Sequence, residues 1–212
     1  MNLLHIDASI LGPNSASRAL SAAAVARLTA ADPALTVTYR DLSADPLPHL
    51  SGAYLLAMMG GEGAAIAGPL THDLAQGEAA LEAFLAADIV VIGAPVYNFT
   101  VPSQLKAWID RICVAGRTFR YSEKGAEGLA GDKRVILTVS RGGFYGPGSP
   151  AAAFEHGETY LRGVFAFLGV TDLEVVVAEG LRVSEEQRAA AMDAALARIA
   201  ELDADPAARA AA

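Results

Sequence analysis

Apolar strand segments alternate with helical segments five times along this 212-residue chain. The segments predicted to be strands are residues 2–8, 35–42, 88–95, 133–140 and 170–180. The third of them, DIVVIGAP, is almost wholly apolar, as is typical of a strand buried on both faces. Because strands that alternate with helices form parallel sheets covered on both sides, the sequence predicts a three-layer, doubly wound α/β fold.

Helices are predicted between these strands, and one long connection is not helical. The predicted helices are residues 15–31, 51–59, 70–87, 103–113, 151–168 and 184–202, whereas residues 114–133 read as an extended arm or hairpin. Five parallel strands suit the flavodoxin-like order 2-1-3-4-5, which binds ligands beyond the carboxyl ends of the strands. The loops after the first, third and fourth strands are therefore the expected site.

Length and charge restrict the class of protein. We expect one domain, residues 1–203, followed by a frayed tail, residues 204–212. The net charge of −8 argues against nucleic-acid and anionic-membrane partners. A single cysteine excludes an internal disulfide, and no signal peptide or run of 18 apolar residues is visible. The chain is expected to be a cytoplasmic enzyme-sized domain.

The loop after the first strand has the composition of an anion site. Ser9, Asn14, Ser15 and Ser17 precede Arg18 at the start of a predicted helix. Hydroxyls, free backbone N–H groups and the positive helix end favour phosphate binding. The alternative is a serine-rich cap without a ligand. Neither a Walker loop nor a G-x-G-x-x-G fingerprint is present here.

The loops after the third and fourth strands add flat and small residues. Tyr97, Asn98 and Phe99 offer an amide with mixed hydrogen-bonding capacity between aromatic rings, although Asn98 could simply make an Asx turn in a packed loop. Gly142 and Gly143 let backbone N–H groups approach a ligand, or form an ordinary turn. Together the three loops predict a mononucleotide site, with flavin mononucleotide (FMN) as its natural occupant.

The sequence resembles the FMN-dependent NADH:quinone oxidoreductases, or azoreductases. S-A-S (15–17), P-V-Y-N-F (95–99), F-R-Y (119–121) and S-R-G-G (140–143) carry the resemblance, which covers nearly the whole chain. It implies a flavodoxin-like homodimer with FMN in each subunit. The implied cofactor-binding residues are Ser9, Ser15, Ala16, Ser17, Pro95, Val96, Tyr97, Asn98, Phe99, Ser140, Arg141, Gly142 and Gly143. Phe119 and Tyr121 would contact substrate or the partner's flavin.

The resemblance also implies a reaction. Hydride would pass from NADH or NADPH to FMN, and a quinone or azo compound would then take two electrons in the same slot, which gives ping-pong kinetics. No side chain is required as a general acid. The sequence departs from the family at Val96, where methionine is frequent, and at Ala16, where a larger polar residue is usual.

Other interpretations concern the function and a few single residues. A one-electron flavodoxin-type carrier is the first alternative, and a binding domain without flavin is the second. No metal site is expected, because the four histidines lack ligand spacing. His5 is interpreted as a hydrogen-bonded core residue, Cys113 as a buried helix residue and Trp108 as core or dimer packing.

Overall fold

The structure is a computed structural model that describes residues 1–60 and 68–203. The predicted tail, residues 204–212, and most of the glycine cluster after Met59 lie outside the described residues. Within the described ranges, no helix is long and apolar enough to cross a membrane. The same residues contain no group of three or more histidines, cysteines or acidic residues that could hold a metal ion.

A five-stranded parallel sheet forms the centre of the fold. The strands of the described residues are β1 (Asn2–Asp7), β2 (Thr36–Asp41), β3 (Ile89–Pro95), β4 (Phe119–Ser122), β5 (Gly125–Gly128), β6 (Arg134–Ser140) and β7 (Asp172–Ala178). The sheet order is β2-β1-β3-β6-β7, while β4 and β5 pair antiparallel as a separate hairpin. The predicted order 2-1-3-4-5 numbered only five strands. The structure has two more, β4 and β5, which lie along the chain between the third and fourth strands of the sheet, so the last two sheet strands are β6 and β7.

Helices cover both faces of the sheet. They are α1 (Ala16–Ala31), α2 (Gly52–Met58), α3 (Pro69–Ala86), α4 (Ser103–Ile112), α5 (Glu158–Phe167) and α6 (Glu185–Ala200). Successive residues of β3 point to opposite faces. Val90 and Ile92 pack in the cluster that contains residues of α3, α4 and α5, whereas Ile89 and Val91 pack with α1 and α6. The predicted three-layer arrangement is therefore confirmed.

The helix predicted over residues 151–168 begins later than expected, at Glu158. Residues 152–154 form a short 3-10 turn instead. The carboxylate of Glu155 then accepts hydrogen bonds from successive backbone N–H groups, including those of Glu158 (2.8 Å) and Thr159 (3.0 Å), which starts α5 there. Burial alone would raise the pKa of Glu155, but these hydrogen bonds and the charge of Arg141 lower it.

Three single-residue interpretations have different outcomes. Trp108 is fully buried in the core, edge-on to Phe84 with 5.9 Å between ring centroids. Cys113 follows the last residue of α4 and is only partly buried, so its placement within a helix was wrong; burial still raises its pKa to about 11. His5 is buried, but its Nε2 has no hydrogen-bond partner and lies 3.6 Å from Asp7 Oδ2.

Candidate functional site

The three predicted loops meet around one open cleft of about 280 Å³ at the carboxyl ends of the central strands. It lies where β1 and β3 meet, at the switch point of the doubly wound sheet. The predicted residues that line it are Ser9, Ser15, Ala16, Pro95, Val96, Tyr97, Ser140, Arg141 and Gly142. The other predicted residues, Ser17, Asn98, Phe99 and Gly143, are absent from its lining.

The start of α1 forms an anion cradle. Ser15 caps the helix, and its Oγ accepts a hydrogen bond from the Arg18 N–H at 3.3 Å. The same Oγ lies 3.1 Å from Oγ of Ser17, which is fully buried behind the cleft wall. Among the described residues, the N–H groups of Ala16 and Ser17 have no acceptor. Two free N–H groups at the positive end of a 16-residue helix suit a phosphate.

The guanidinium of Arg18, which follows the serines of this loop, is not part of the cradle. It makes two hydrogen bonds to Asp41, at 2.6 and 2.7 Å, and two more to the backbone carbonyl of Ser9. The hydrogen bond from Arg18 lowers the pKa of the Asp41 carboxyl, against a smaller opposing effect of burial. Arg18 therefore positions the Ser9 loop rather than facing the ligand.

The loop after β3 is a tight turn with unusual backbone geometry. Tyr97 and Thr100 exchange two backbone hydrogen bonds, of 2.9 and 3.2 Å. Between them, Asn98 (φ 48°) and Phe99 (φ 76°) occupy the left-handed region, and the described residues contain no other non-glycine residue with positive φ. Such strain concentrates at ligand sites. The Asx-turn interpretation is not supported, since the Asn98 side chain makes no hydrogen bond to a described residue.

Tyr97 joins the two loops that face each other across the switch point. Its hydroxyl lies 3.1 Å from Ser9 Oγ and accepts a hydrogen bond from the Ile10 N–H at 3.3 Å. The next residue back, Val96, donates its N–H to the Ser140 carbonyl at 2.9 Å. The loop after β3 is therefore bonded to the loop after β1 and to the end of β6, which gives the Tyr97 ring a defined position in the cleft wall.

The S-R-G-G loop supports the opposite wall. A Cβ on Gly142 would lie 3.0 Å from Cδ of Arg182, whose own N–H donates to the Gly142 carbonyl at 2.9 Å. Glycine therefore allows the loop after β7 to pack directly on this backbone. The N–H groups of Gly142 and Gly143 donate to no acceptor among the described residues, so they are free to bind a ligand.

Arg141 cannot offer a free charge to the cleft. Its side chain is buried and ion-paired with Glu158 at 2.6 Å, Glu179 at 3.3 Å and Glu155 at 3.4 Å. A guanidinium shared by three carboxylates is already neutralised. Its contribution to the lining is therefore structural, because it joins the S-R-G-G loop to the start of α5.

Sequence reasoning missed several residues of the lining, namely Leu11, Tyr145, Leu181, Arg182 and Arg188. The last three follow β7, which β6 separates from β3 in the sheet, so the switch-point rule does not predict them. Tyr145 belongs to an aromatic group with Phe99 and Phe154, whose ring centroids lie 6.2 and 5.2 Å from that of Phe99. The one signal in the sequence was the position of Leu11 and Tyr145 in the predicted loops after β1 and β6, whereas Arg188 lies in α6.

Phe119 and Tyr121 lie on the β4–β5 hairpin and are not among the residues that line the cleft. Phe119 is buried against Phe167, with ring centroids 4.6 Å apart. Tyr121 packs edge-on to Phe119 and is 75% exposed. The structure therefore does not bring either residue to the cleft of its own chain.

The electrostatics of the cleft oppose those of the whole protein. None of the lining residues is an aspartate or glutamate, although the chain carries a net charge of −8. The polar groups of the lining are free N–H groups, serine and tyrosine hydroxyls, one asparagine amide and three arginines, of which only Arg141 is ion-paired with a described residue. This donor set fits a phosphate and the carbonyl edge of a planar heterocycle, which are the parts of FMN.

Comparisons with known proteins identify the family of the chain. A family model described as "Flavodoxin-like fold" matches residues 1–202. An "FMN-dependent NADH:quinone oxidoreductase" of Methylorubrum populi is 61% identical over 204 residues, which are 96% of this chain and 100% of the relative. The chain belongs to this oxidoreductase family. A Bradyrhizobium diazoefficiens relative, "FMN-dependent NADH:quinone oxidoreductase 2", is 57% identical with the same coverage.

Solved structures of the family superpose on the fold. An azoreductase from Bacillus anthracis is 31% identical, with a TM-score of 0.82 over 95% of this chain and 100% of its own. An FMN-dependent NADH-azoreductase from the same species, in complex with FMN, has a TM-score of 0.83, 25% identity and full coverage of both chains. The family match thus extends from the first strand to the last helix.

Proposed function

We propose that this protein is an FMN-dependent oxidoreductase that takes hydride from NADH and reduces quinones and azo compounds by two electrons. The observation that carries the proposal is the lining of the cleft. It contains no carboxylate, and residues of the α1 cradle and Tyr97 surround the same space. Relatives at about 60% identity bear the name of this activity. An azoreductase neighbour was solved with FMN bound.

The cradle and the two loops would hold different parts of FMN. The free N–H groups of Ala16 and Ser17, with the Ser15 hydroxyl, suit the phosphate. Pro95 to Tyr97 and Ser140 to Gly143 would line the ring system. FMN, when bound, supplies a ring that accepts hydride from the nicotinamide and passes two electrons to the substrate. The N–H groups of the S-R-G-G loop would donate to negative charge on that ring.

The protein itself orients the reactants more than it transfers protons. No aspartate, glutamate or histidine lines the cleft, so no side chain is assigned as general acid, and water would supply protons. One open cleft has to receive the donor and the acceptor in turn. This supports ping-pong kinetics, in which the oxidised donor leaves before the quinone or azo compound binds.

We further propose a cytoplasmic homodimer with one FMN per subunit. Exposed apolar side chains on and beside α2, including Leu55, Leu56 and Met59, are candidates for the subunit contact. Phe119 and Tyr121 would act across that interface, toward the partner's flavin, since neither lines the cleft of its own chain. Analytical ultracentrifugation would test the dimer, and a monomer at micromolar concentration would contradict it.

The one-electron carrier is the second candidate and is not favoured. Relatives over almost the whole chain are named as oxidoreductases that use NADH. An electron carrier would not need a cleft that is open to a second planar ligand. It would hold flavin but would not be reduced by NADH alone.

The visible spectrum of the purified protein, recorded anaerobically before and after NADH, tests the proposal. We expect a yellow protein with about one FMN per chain that NADH bleaches and an added quinone restores. Parallel additions of NADPH measure donor preference. A yellow protein unchanged by NADH would contradict hydride transfer, and a colourless protein that takes up no FMN would contradict the flavin site.

A further inference from the structure

Two arginines in the cleft wall have no partner among residues 1–60 and 68–203. Arg182 and Arg188 line the cleft, and neither guanidinium makes a hydrogen bond or ion pair with a described residue. Every other arginine in residues 1–60 and 68–203 donates to a carboxylate or to a backbone carbonyl. The two unpaired arginines therefore coincide with the candidate ligand site.

We propose that Arg182 and Arg188 form a phosphate-recognition pair that acts with the α1 cradle. The inference rests on the proposed function, because it assigns these two side chains to ligands of the same cleft. Guanidinium groups bind phosphate through paired N–H donors and keep their charge at any physiological pH. With no carboxylate in the lining, nothing there neutralises either charge.

Both arginines are presented by ordered backbone. Arg182 is fixed to the S-R-G-G loop, since its N–H donates to the Gly142 carbonyl and its Cδ lies 3.0 Å from the position that a Gly142 Cβ would take. Arg188 lies one turn into α6, where its N–H donates to the Ser184 carbonyl at 3.0 Å. Ser184 also caps this helix through its side chain. Only the exposed ends of the two side chains have to become ordered when a ligand binds.

The net negative charge of the protein gives the two arginines a role in attracting an anionic ligand. An acidic protein of net charge −8 repels the anionic dinucleotide donor as it approaches. Two unpaired cations in the cleft wall reverse that field locally. The phosphate could belong to FMN, or to the pyrophosphate of the nicotinamide donor, and the two sources require different experiments.

The first experiment measures flavin affinity. Flavin-free protein is titrated with FMN and with riboflavin, which lacks the phosphate, in the wild type and in the double variant R182Q/R188Q. If the pair binds the flavin phosphate, the FMN Kd rises about fivefold to twentyfold. The riboflavin Kd stays within about twofold, because only the phosphate has lost a partner. An equal loss for both flavins would indicate a distorted site and overturn the proposal.

The second experiment measures the donor in FMN-saturated enzyme. If the pair binds the dinucleotide, the KM for NADH rises about fivefold to twentyfold in R182Q/R188Q. The rate with N-benzyl-dihydronicotinamide, a hydride donor without phosphate, stays within about twofold of the wild type. The dependence of the NADH KM on salt should also weaken in the variant.

Controls separate the pair from a general effect of charge. Arg198 is an exposed residue of α6, like Arg188, but it does not line the cleft. Arg198→Gln should therefore change neither the FMN Kd nor the NADH KM. R182K/R188K keeps both charges and should recover part of the affinity. Unchanged FMN Kd and unchanged NADH KM in R182Q/R188Q would overturn the proposal. Failure of the wild type to bind either flavin would instead contradict the proposed function.

Discussion

The hydroxyl of Tyr97 lies 3.1 Å from Oγ of Ser9, and this contact joins the loop after β3 to the loop after β1. Ser9 is fully buried, and its Oγ also accepts the Leu11 N–H at 3.3 Å. The carbonyl of Ser9 is held in turn by Arg18. The proposed wall for the flavin ring and the proposed cradle for its phosphate are thus parts of one hydrogen-bonded unit.

Tyr97→Phe should weaken FMN binding without unfolding the protein. The change removes a hydrogen bond to a buried hydroxyl, which is worth about 0.5–1.5 kcal/mol, so we expect the FMN Kd to rise about twofold to twelvefold. Fluorescence titration measures it. Tyr160→Phe is the matched control, because the Tyr160 hydroxyl makes no hydrogen bond to a described residue. Equal affinities for Tyr97→Phe and the wild type would show that this contact does not position the site.

Ser15→Ala should reduce both stability and FMN affinity. Loss of the side-chain cap of α1 costs about 0.5–2 kcal/mol of unfolding free energy, and the phosphate loses a hydroxyl partner. Ser51→Ala removes the same kind of cap from α2, which is absent from the cleft lining. Urea unfolding and FMN titration on both variants separate the effects. If Ser51→Ala lowered FMN affinity as much, the cradle would not be specific.

Gly93→Ala should destabilise the protein and displace the start of α1. A Cβ at this position of β3 would lie 2.3 Å from Asp7 Oδ1 and 3.1 Å from the Ser17 carbonyl. Overpacking of this kind costs about 1–3 kcal/mol. Gly163→Ala, in α5 with no atom within 4 Å of the added carbon, should instead stabilise by about 0.5–1 kcal/mol. Thermal unfolding distinguishes the two, and the same sign for both would contradict the packing argument.

Asp41 should make stability depend on pH on the acid side. Its folded pKa is lowered, chiefly by the hydrogen bond from Arg18, so its stabilising contribution is present above the unfolded pKa of about 4. That contribution is lost as the pH falls through the lower, folded pKa. The difference in unfolding free energy between the wild type and Asp41→Asn should therefore shrink below about pH 4. Urea unfolding from pH 7 to pH 3 measures it.

Asp45→Asn is the control for that series. Asp45 pairs with Arg40 at 3.4 Å, and its side chain is 67% exposed, so its removal should change stability by less than about 1 kcal/mol. A constant difference between Asp41→Asn and the wild type across the whole pH range would show that the Arg18 pair does not control this titration.

Local patterns in the sequence predicted the elements that build the site. The apolar run before Tyr97 and the serine before α1 define a strand end and a helix start by local chemistry alone. The start of α5 was predicted too early, since the Glu155 carboxylate, and not a residue at the apparent helix start, satisfies its first N–H groups. Helix propensity does not predict those hydrogen bonds, because they depend on where the Glu155 side chain lies in the folded protein.

The sequence by itself determined the layered α/β fold, the three loops and their serine-rich, aromatic and glycine-rich composition, because periodicity and capping act between near neighbours in the chain. Only the tertiary structure decided which charges are free. Arg18 and Arg141 are neutralised by carboxylates brought to them by folding, whereas Arg182 and Arg188 reach the cleft from the loop and helix after β7. Ion pairing depends on distances across the fold, which sequence spacing does not contain.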